Sequence, residues 1–277
     1  MDITASMVRE LREKSGAGMM ACKKALAETS GDMEQAFDFL RKAGLKSAEK
    51  KASREMGEGR VNSVTTGKSG AMVAITCETD FAVKTPDFES FMDDLTAHVQ
   101  SNNSNDMDGL LSEPWSKTGG TVEDAVKGVV ASIGENISVA RVAAYENADG
   151  VVGAYIHHNN KVGVLVSVTT KSTDTENALK DLCLHIAAMK PEFLSREEVT
   201  EDVIAREKDV YMAEVAGKPE NIQEKILSGK LEKFFAGCVL PNQTWVKDDK
   251  LTVQKALEAQ LGEGTVIAAF SRFQIGN

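Results

Sequence analysis

The chain lacks the features that mark membrane-spanning and secreted proteins. Its 277 residues contain only five prolines and four cysteines. The longest run without Asp, Glu, Lys or Arg covers 13 residues, 234–246, whereas a helix that crosses a bilayer needs about 20 mostly apolar residues. The N-terminal stretch has no apolar signal core. We therefore expect a protein without a membrane-spanning helix that is cytoplasmic, with a mature chain already delivered elsewhere as the alternative.

Cysteines and histidines are too few and too dispersed to indicate a metal site or a disulfide framework. The cysteines are Cys22, Cys77, Cys183 and Cys238, and no two form a CxxC pair. Such spacing favours reduced thiols. His157 and His158 are adjacent, and on a strand they would face opposite sides of the sheet. We expect neither a metal nor a cofactor.

The chain is acidic overall, but its charged residues are unevenly distributed. The formal net charge is −10, although residues 1–60 carry 12 basic and 10 acidic side chains. An acidic chain repels phosphate backbones, so we expect no direct binding to nucleic acid. Residues 46–60 hold five basic and three acidic residues. A solvated linker is the favoured interpretation of this segment, and an RNA-binding patch is the alternative.

The first 45 residues show the apolar spacing of three short helices. Cap and breaker residues set their predicted limits: Thr4, Gly16, the Ser30-Gly31-Asp32 break and Gly44. Between the first two helices, a turn rich in glycine presents Met19 and Met20. We expect one methionine to pack inside the bundle and the other to remain available to a partner, since methionine adapts to varied surfaces.

Beyond residue 60 the pattern predicts a duplicated α+β core. Segments 70–76 and 163–169 resemble one another, as do segments 94–99 and 181–186. Each pair belongs to a predicted strand-strand-helix unit, in the first of which Thr85 caps the helix before Pro86. We place one subdomain at 61–140 and a second at 141–277. Chance similarity of short apolar runs is the alternative to duplication.

A helical hairpin is predicted at about 195–236 within the second subdomain. The Ser195-Arg-Glu-Glu198 sequence matches a capping box that would open it, and Gly217-Lys218-Pro219 would turn the chain between its two helices. Such an antiparallel arm would contact a partner or pack on the core, and the sequence leaves both open. Residues 101–120 read as a loop-rich connection.

No enzyme motif occurs, and the most pointed local feature is a short loop. There is no nucleophile elbow, HExxH or paired-carboxylate motif. Cys77-Glu-Thr-Asp-Phe81 connects a predicted strand to the helix capped by Thr85, and such a loop can present side chains outward. Phe81 would insert into a partner beside Asp80, or it would tuck back over the helix. Residue spacing does not separate these interpretations.

Eight segments distributed over nearly the whole chain match one known pattern in register. They are 15–20 (SGAGMM), 22–26 (CKKAL), 79–81 (TDF), 133–137 (IGENI), 155–157 (YIH), 161–166 (KVGVLV), 185–188 (HIAA) and 190–193 (KPEF). With these segments the chain resembles the bacterial elongation factor Ts family. Members of this family are guanine-nucleotide exchange factors of elongation factor Tu.

The resemblance implies an architecture and a partner. The N-terminal bundle would be a ubiquitin-associated-type domain, and the hairpin a coiled-coil arm. The chain would bind the GTPase elongation factor Tu, as a heterodimer or a two-to-two complex, with no chemical reaction of its own. Thr79, Asp80, Phe81 and Ala82 would disturb the Mg²⁺ and phosphate site. The implied further contacts are Arg12, Met19, Met20, Lys23 and His157.

Some positions depart from the family pattern. Ala82-Val83 stands where Val-Ala is common, Ala140 precedes Arg141 where two arginines are common, and the chain stops before a helix that longer members carry. Two other classes of function remain open on the residues alone. One is an adaptor that binds another protein or RNA through the bundle and residues 46–60, and the other is an enzyme with an unrecognised carboxylate site.

Overall fold

The computed structural model of the chain describes residues 3–215 and 219–276, and it is mixed helix and sheet as predicted. The α-helices in these ranges are α1 (Ala5–Ser15), α2 (Met19–Glu28), α3 (Met33–Lys51), α4 (Pro86–Asn102), α5 (Met107–Ser112), α6 (Val122–Ile133), α7 (Glu176–Met189), α8 (Glu201–Val215), α9 (Glu220–Cys238) and α10 (Val253–Leu261). The strands are β1 (Glu58–Thr65), β2 (Ser69–Cys77), β3 (Ile137–Glu146), β4 (Gly150–Ile156), β5 (Val162–Thr169), β6 (Thr244–Trp245), β7 (Asp248–Thr252) and β8 (Val266–Gln274).

Helices α1–α3 form a small bundle, and its helix starts follow the predicted caps. The Thr4 side chain accepts a hydrogen bond from the Met7 amide, and Gly16 closes α1 with φ +65°. The bundle core consists of Val8, Leu11, Cys22, Ala25, Leu26 and Ala36. Its assignment to the ubiquitin-associated type stays a prediction.

The predicted end of the third helix at Gly44 is wrong, because α3 continues to Lys51. Gly44 is buried, and a Cβ added to it would lie 3.1 Å from Cβ of Ala131 on α6. The glycine therefore allows two helices to approach closely and does not act as a helix stop. As a consequence, the first part of the predicted linker at 46–60 is helical, and its last residues belong to β1.

Two three-stranded antiparallel sheets pack face to face. Their orders are β1-β2-β3 and β4-β5-β8. The shared cluster contains Val61, Met72, Ala74 and Ala143 from the first sheet and Val152, Leu165, Phe273 and Ile275 from the second sheet and its end. Helices α4 and α6 cover the outer face of the first sheet, and α7 and α10 cover that of the second. The core thus has four layers, with both sheets buried on two faces.

Both halves of the core repeat one order of elements, which matches the predicted duplication. The first half runs β1-β2-α4-α6-β3, and the second runs β4-β5-α7-α10-β8. The predicted boundary at 140/141 falls inside the continuous strand β3, which pairs with β2 along Ile137 to Glu146. We therefore propose to divide the halves after Glu146.

Helices α8 and α9 form a helical arm between α7 and α10, at the place where the first half has the short α5. The predicted capping box is wrong, because Ser195 caps only a 3-10 turn at Arg196–Glu198 and its side chain makes no cap hydrogen bond. Helix α8 begins six residues later than Ser195, at Glu201. The predicted turn at 217–218 lies outside the described residues.

The start of α8 and the end of α9 pack together around Val203, Ile204, Phe234 and Phe235. Because the start of one helix contacts the end of the other, the two helices are antiparallel, as predicted. Their assignment as a coiled coil stays a prediction. No helix in the described part of the chain is long and apolar enough to cross a membrane.

Gly163 on β5 marks the closest approach of the two sheets. A Cβ added there would lie 2.5 Å from Val61 Cγ1 and 2.8 Å from Met72 Sδ, both on the first sheet. We expect Gly163→Ala to lower the free energy of unfolding by about 1–3 kcal/mol, because the added methyl group overpacks the interface. Urea unfolding followed by circular dichroism measures this change.

Gly128→Ala is the matched control, since Gly128 is exposed on α6 with nothing within 4 Å of an added Cβ. Better helix propensity should leave it as stable as the parent or up to about 1 kcal/mol more stable. Equal stability of Gly163→Ala and the parent protein would contradict the close packing of the sheets.

Candidate functional site

The loop between β2 and α4 is fixed at both of its ends. Thr85 caps α4 by accepting a hydrogen bond from the Phe88 amide at 3.3 Å, and its own hydroxyl donates to the Ala82 carbonyl at 2.7 Å. Ala82 begins a 3-10 turn, Ala82–Lys84, and is only 1% exposed. The loop therefore enters the helix through a buried anchor at Ala82.

Thr79 anchors the other end of the loop on Glu135, the second residue after α6. The Thr79 amide donates to Glu135 Oε2 at 3.0 Å, and the Thr79 hydroxyl donates to Oε1 at 2.7 Å. Gly134, with φ +90°, ends α6 and allows the chain to turn so that Glu135 meets the loop. Both carboxylate oxygens are thus used to hold one residue of the loop.

A second carboxylate strengthens this junction from the opposite direction. Glu78 accepts a hydrogen bond from the Asn136 amide at 2.6 Å and one from Arg54 at 3.1 Å. The Asn136 side chain in turn donates to the Arg54 carbonyl at 3.0 Å. The hydrogen bond from the Asn136 amide lowers the pKa of Glu78 below its ordinary value, with Arg54 contributing in the same direction.

Phe81 projects from this fixed loop into solvent. Its side chain is 75% exposed, so the structure excludes the interpretation in which the ring tucks over α4. Lys84 lies 5.5 Å above the ring and forms an ion pair with Asp80 at 2.7 Å. This hydrogen bond from Lys84 lowers the pKa of Asp80. The loop therefore presents one aromatic ring and one ionised carboxylate side by side.

Both methionines of the bundle are exposed, Met19 at 60% and Met20 at 76%. The expectation that one would pack inside is wrong. Ala17 packs against the bundle core, and its carbonyl accepts a hydrogen bond from the Cys22 thiol at 3.5 Å. Met19 and Met20 are the first two residues of α2, and neither belongs to the bundle core. Arg12 and Lys23 are also exposed.

The end of α6 contacts both the α1–α2 turn, which precedes Met19 and Met20, and the 79–82 loop. The Ser132 hydroxyl lies 3.1 Å from the Gly16 carbonyl and also within hydrogen-bond distance of the Asp87 carboxylate on α4, so the α1–α2 turn lies against the last turn of α6. Glu135, which holds Thr79, is three residues further along the chain, so its Cα lies within about 11 Å of that of Ser132. The C-terminal end of α6 therefore lies next to both segments that present exposed apolar side chains, the 79–82 loop with Phe81 and the start of α2 with Met19 and Met20.

His157 lies in the β4–β5 turn and not on a strand, since β4 ends at Ile156. The expectation that His157 and His158 face opposite ways is therefore wrong, and their ring centroids are 4.2 Å apart. The hydroxyl of Tyr155 and Nδ1 of His157 are hydrogen-bonded at 2.8 Å.

The β4–β5 turn that carries His157 approaches the base of the 79–82 loop. Lys161 in this turn forms an ion pair with Glu58 at 2.6 Å, and Glu58 pairs with Cys77 across the sheet. His157, the end of β2 and the 79–82 loop therefore belong to one end of the molecule.

Sequence reasoning missed the residues that support the loop. Glu135 and Glu78 make the anchoring contacts of the loop, and Ser132 contacts the neighbouring α1–α2 turn, yet residue spacing indicated none of these roles. The available signal was the polar Glu135-Asn136 pair directly after the helix-ending Gly134. Within residues 3–215 and 219–276, no three His, Cys, Asp or Glu side chains are grouped so that they could hold a metal ion.

These features define an α+β protein with exposed apolar side chains, Phe81 on a fixed loop and Met19 and Met20 at the start of α2. A family model described as "Elongation factor TS" matches residues 78–277. Elongation factor Ts of Magnetococcus marinus is 42% identical over 283 residues, covering 100% of this chain and 93% of that protein. Elongation factor Ts of Trichlorobacter lovleyi is 41% identical over 290 residues, with the same coverage. The chain belongs to the elongation factor Ts family and is a translation elongation factor.

Glu78 makes stability depend on pH. Its folded pKa lies below its ordinary value of 4.5, so its contribution is present above pH 4.5 and is lost as pH falls through the folded pKa. We expect Glu78→Gln to flatten the decline of the unfolding free energy between about pH 5 and pH 3. Urea titrations at several pH values measure this slope.

Glu263→Gln is the control, because Glu263 is exposed and outside the site. Its pH profile should follow that of the parent protein. If the Glu78→Gln profile also followed the parent protein, the hydrogen bond from Asn136 would have no energetic role in this junction.

Proposed function

We propose that the chain binds elongation factor Tu in its GDP-bound form and accelerates release of GDP, so that GTP can bind. The 79–82 loop would press against the GTPase domain and disturb the Mg²⁺ and phosphate site. One observation carries the proposal: Phe81 is three-quarters exposed on a loop that Glu135 and Ala82 hold in place. The chain would act as an exchange factor and carry out no chemical reaction itself.

A fixed loop suits this role because little conformational freedom is lost on binding. An aromatic ring on a mobile loop would lose rotational freedom when it entered a partner, and that loss would weaken the complex. Here the hydrogen bonds to Thr79 and Thr85 order the backbone before any partner arrives. The binding free energy of Phe81 is then available to deform the partner.

Asp80 adds an electrostatic contribution beside the ring. Asp80 is ionised at neutral pH even at its ordinary pKa of 3.8, and the hydrogen bond from Lys84 lowers that pKa further. A carboxylate placed near nucleotide phosphates disfavours their binding by repulsion, and it competes with them for Mg²⁺, which prefers oxygen ligands. Phe81 would thus supply the apolar contact, while Asp80 would supply the charge that opposes GDP.

Linkage sets how much the contact must contribute. If the chain weakens GDP binding by some factor, GDP weakens binding of the chain by the same factor. Each factor of ten corresponds to about 1.4 kcal/mol of differential contact. Burial of one phenylalanine side chain contributes about 1.5–3 kcal/mol. Phe81 alone would therefore weaken GDP binding by about one to two factors of ten.

The remaining contacts would hold the two proteins together while the loop acts. Arg12, Met19, Met20 and Lys23 would contact the same GTPase domain from the bundle. His157 would add a contact from the second half of the core, and the helical arm would hold a second face of elongation factor Tu. The complex would form in the cytoplasm as a heterodimer or a two-to-two assembly.

Phe81→Ala tests the proposal directly. We expect the variant still to bind elongation factor Tu. At saturating variant, GDP should leave elongation factor Tu about 10- to 100-fold more slowly than with the parent protein, because the apolar contact is lost. Release of a fluorescent GDP analogue, chased with excess unlabelled GDP, measures the rate.

Val266→Ala is the control, since Val266 is 54% exposed on β8 and outside the 79–82 loop. It should accelerate release as the parent protein does. Parent-like release with saturating Phe81→Ala would exclude Phe81 as the inserted residue. No acceleration by the parent chain with its cognate elongation factor Tu would refute the exchange function itself.

A further inference from the structure

The two halves of the core carry matching histidine–tryptophan pairs. They are His98 with Trp115, at 5.3 Å between ring centroids, and His185 with Trp245, at 5.2 Å. These are the two tryptophans of the chain. In each half, the residue two positions before the tryptophan bonds Nε2 of the histidine: Glu113 at 2.7 Å in the first and Gln243 at 3.0 Å in the second. The duplication thus extends to a specific side-chain cluster, with one change from a carboxylate to an amide.

In the first half, the Glu113 carboxylate meets only donors. It accepts hydrogen bonds from His98 at 2.7 Å, Asn102 at 2.8 Å and Ser104 at 2.6 Å. Burial acts to raise the pKa of Glu113, but these hydrogen bonds outweigh it and leave the pKa lowered. An ionised carboxylate, which only accepts, fits this site.

In the second half, the Gln243 amide meets one donor and two acceptors. The Val246 amide donates to Nδ1 of His185 at 3.2 Å, so Nε2 carries the proton and donates to Gln243 Oε1. The Gln243 amide nitrogen donates to the carbonyls of Gly237 at 2.7 Å and Met189 at 3.4 Å. A carboxylate of equal size would accept from His185 but could not donate to either carbonyl.

These two carbonyls belong to the ends of the chain segments that lead into and out of the helical arm. Met189 is the last residue of α7, and Gly237 is in the last turn of α9, where carbonyls have no partner within their helix. The two segments also bond one another, since the Glu192 amide donates to the Cys238 carbonyl at 2.8 Å and the Leu240 amide donates to the Phe193 carbonyl at 2.9 Å. Gln243 is therefore a direct connection from both segments to the His185–Trp245 pair in the core.

We propose that Gln243 is the positioning residue of the helical arm and fixes the direction in which the arm leaves the core. The side chain is 1% exposed, so water cannot easily replace its hydrogen bonds. The first half has the short α5 instead of an arm, and there Glu113 accepts hydrogen bonds from donors only. This inference is independent of the proposed exchange function.

Electron-spin distance measurements on the full chain test the proposal. Spin labels at Gly229→Cys on α9 and Lys255→Cys on α10 report the arm relative to the core, and all four native cysteines are buried. The parent protein should give one narrow distance distribution. At a pH that ionises the new carboxyl group, Gln243→Glu keeps the size but removes the donor, and it should give a broad or shifted distribution.

Amide hydrogen exchange separates loss of arm position from general destabilisation. In Gln243→Glu, exchange of the Glu192, Phe193 and Leu240 amides should rise about 10- to 100-fold, while amides of β5 keep their protection. Glu113→Gln is the matched control and should leave both the distance distribution and these amides unchanged. If Gln243→Glu does not fold, Gln243→Met removes the donor without burying a charge and should give the same broadening.

A narrow, unshifted distribution in the folded Gln243 variant would overturn the proposal. Equal broadening in Glu113→Gln would also overturn it, because the effect would then not be specific to the arm.

Discussion

The architecture depends on the contact between the two sheets. Each sheet has three strands and forms one core with the helices on its outer face, and a third cluster joins the two sheets, in which Val61 and Met72 pack against Leu165 and Phe273. This contact forces β2 and β5 to be apolar on both faces, and it requires glycine at position 163, where a side chain would collide with the opposite sheet. The helices then cover the outer faces of the two sheets, and the residues at the helix ends form the hydrogen bonds that fix neighbouring loops.

The exposed loop owes its position to this arrangement. It follows β2 and meets the turn after α6, where Glu135 binds Thr79. The second half repeats the plan, because the Thr170 hydroxyl after β5 donates to the Leu261 carbonyl at the end of α10 at 3.2 Å. The segment after Thr170 contains no aromatic or large aliphatic residue before α7. The two halves therefore have corresponding loops, and of these two loops the first presents an aromatic ring.

Local signals in the sequence predicted the elements whose limits depend on neighbouring residues. Thr4 and Thr85 cap helices as expected, and the period-two pattern located the strands. Predictions failed where a distant segment decides the outcome. Gly44 lies inside a helix that packs closely against α6, and Met19 and Met20 both lie outside the bundle core. The exposure of Phe81 also depends on contacts with distant segments. Residue spacing alone therefore did not decide whether the ring is exposed or packs over α4, whereas the family resemblance indicated that this loop contacts a partner.

We propose that Glu135, by holding Thr79, keeps the 79–82 loop in the position from which Phe81 acts on a partner. A double-mutant cycle on GDP release from elongation factor Tu, with Glu135→Ala and Phe81→Ala measured singly and together at saturation, tests it most directly. We expect Glu135→Ala to slow release on its own and to add little to the effect of Phe81→Ala, because both changes remove the same contact. Independent, additive effects, or parent-like release with Glu135→Ala, would contradict the account.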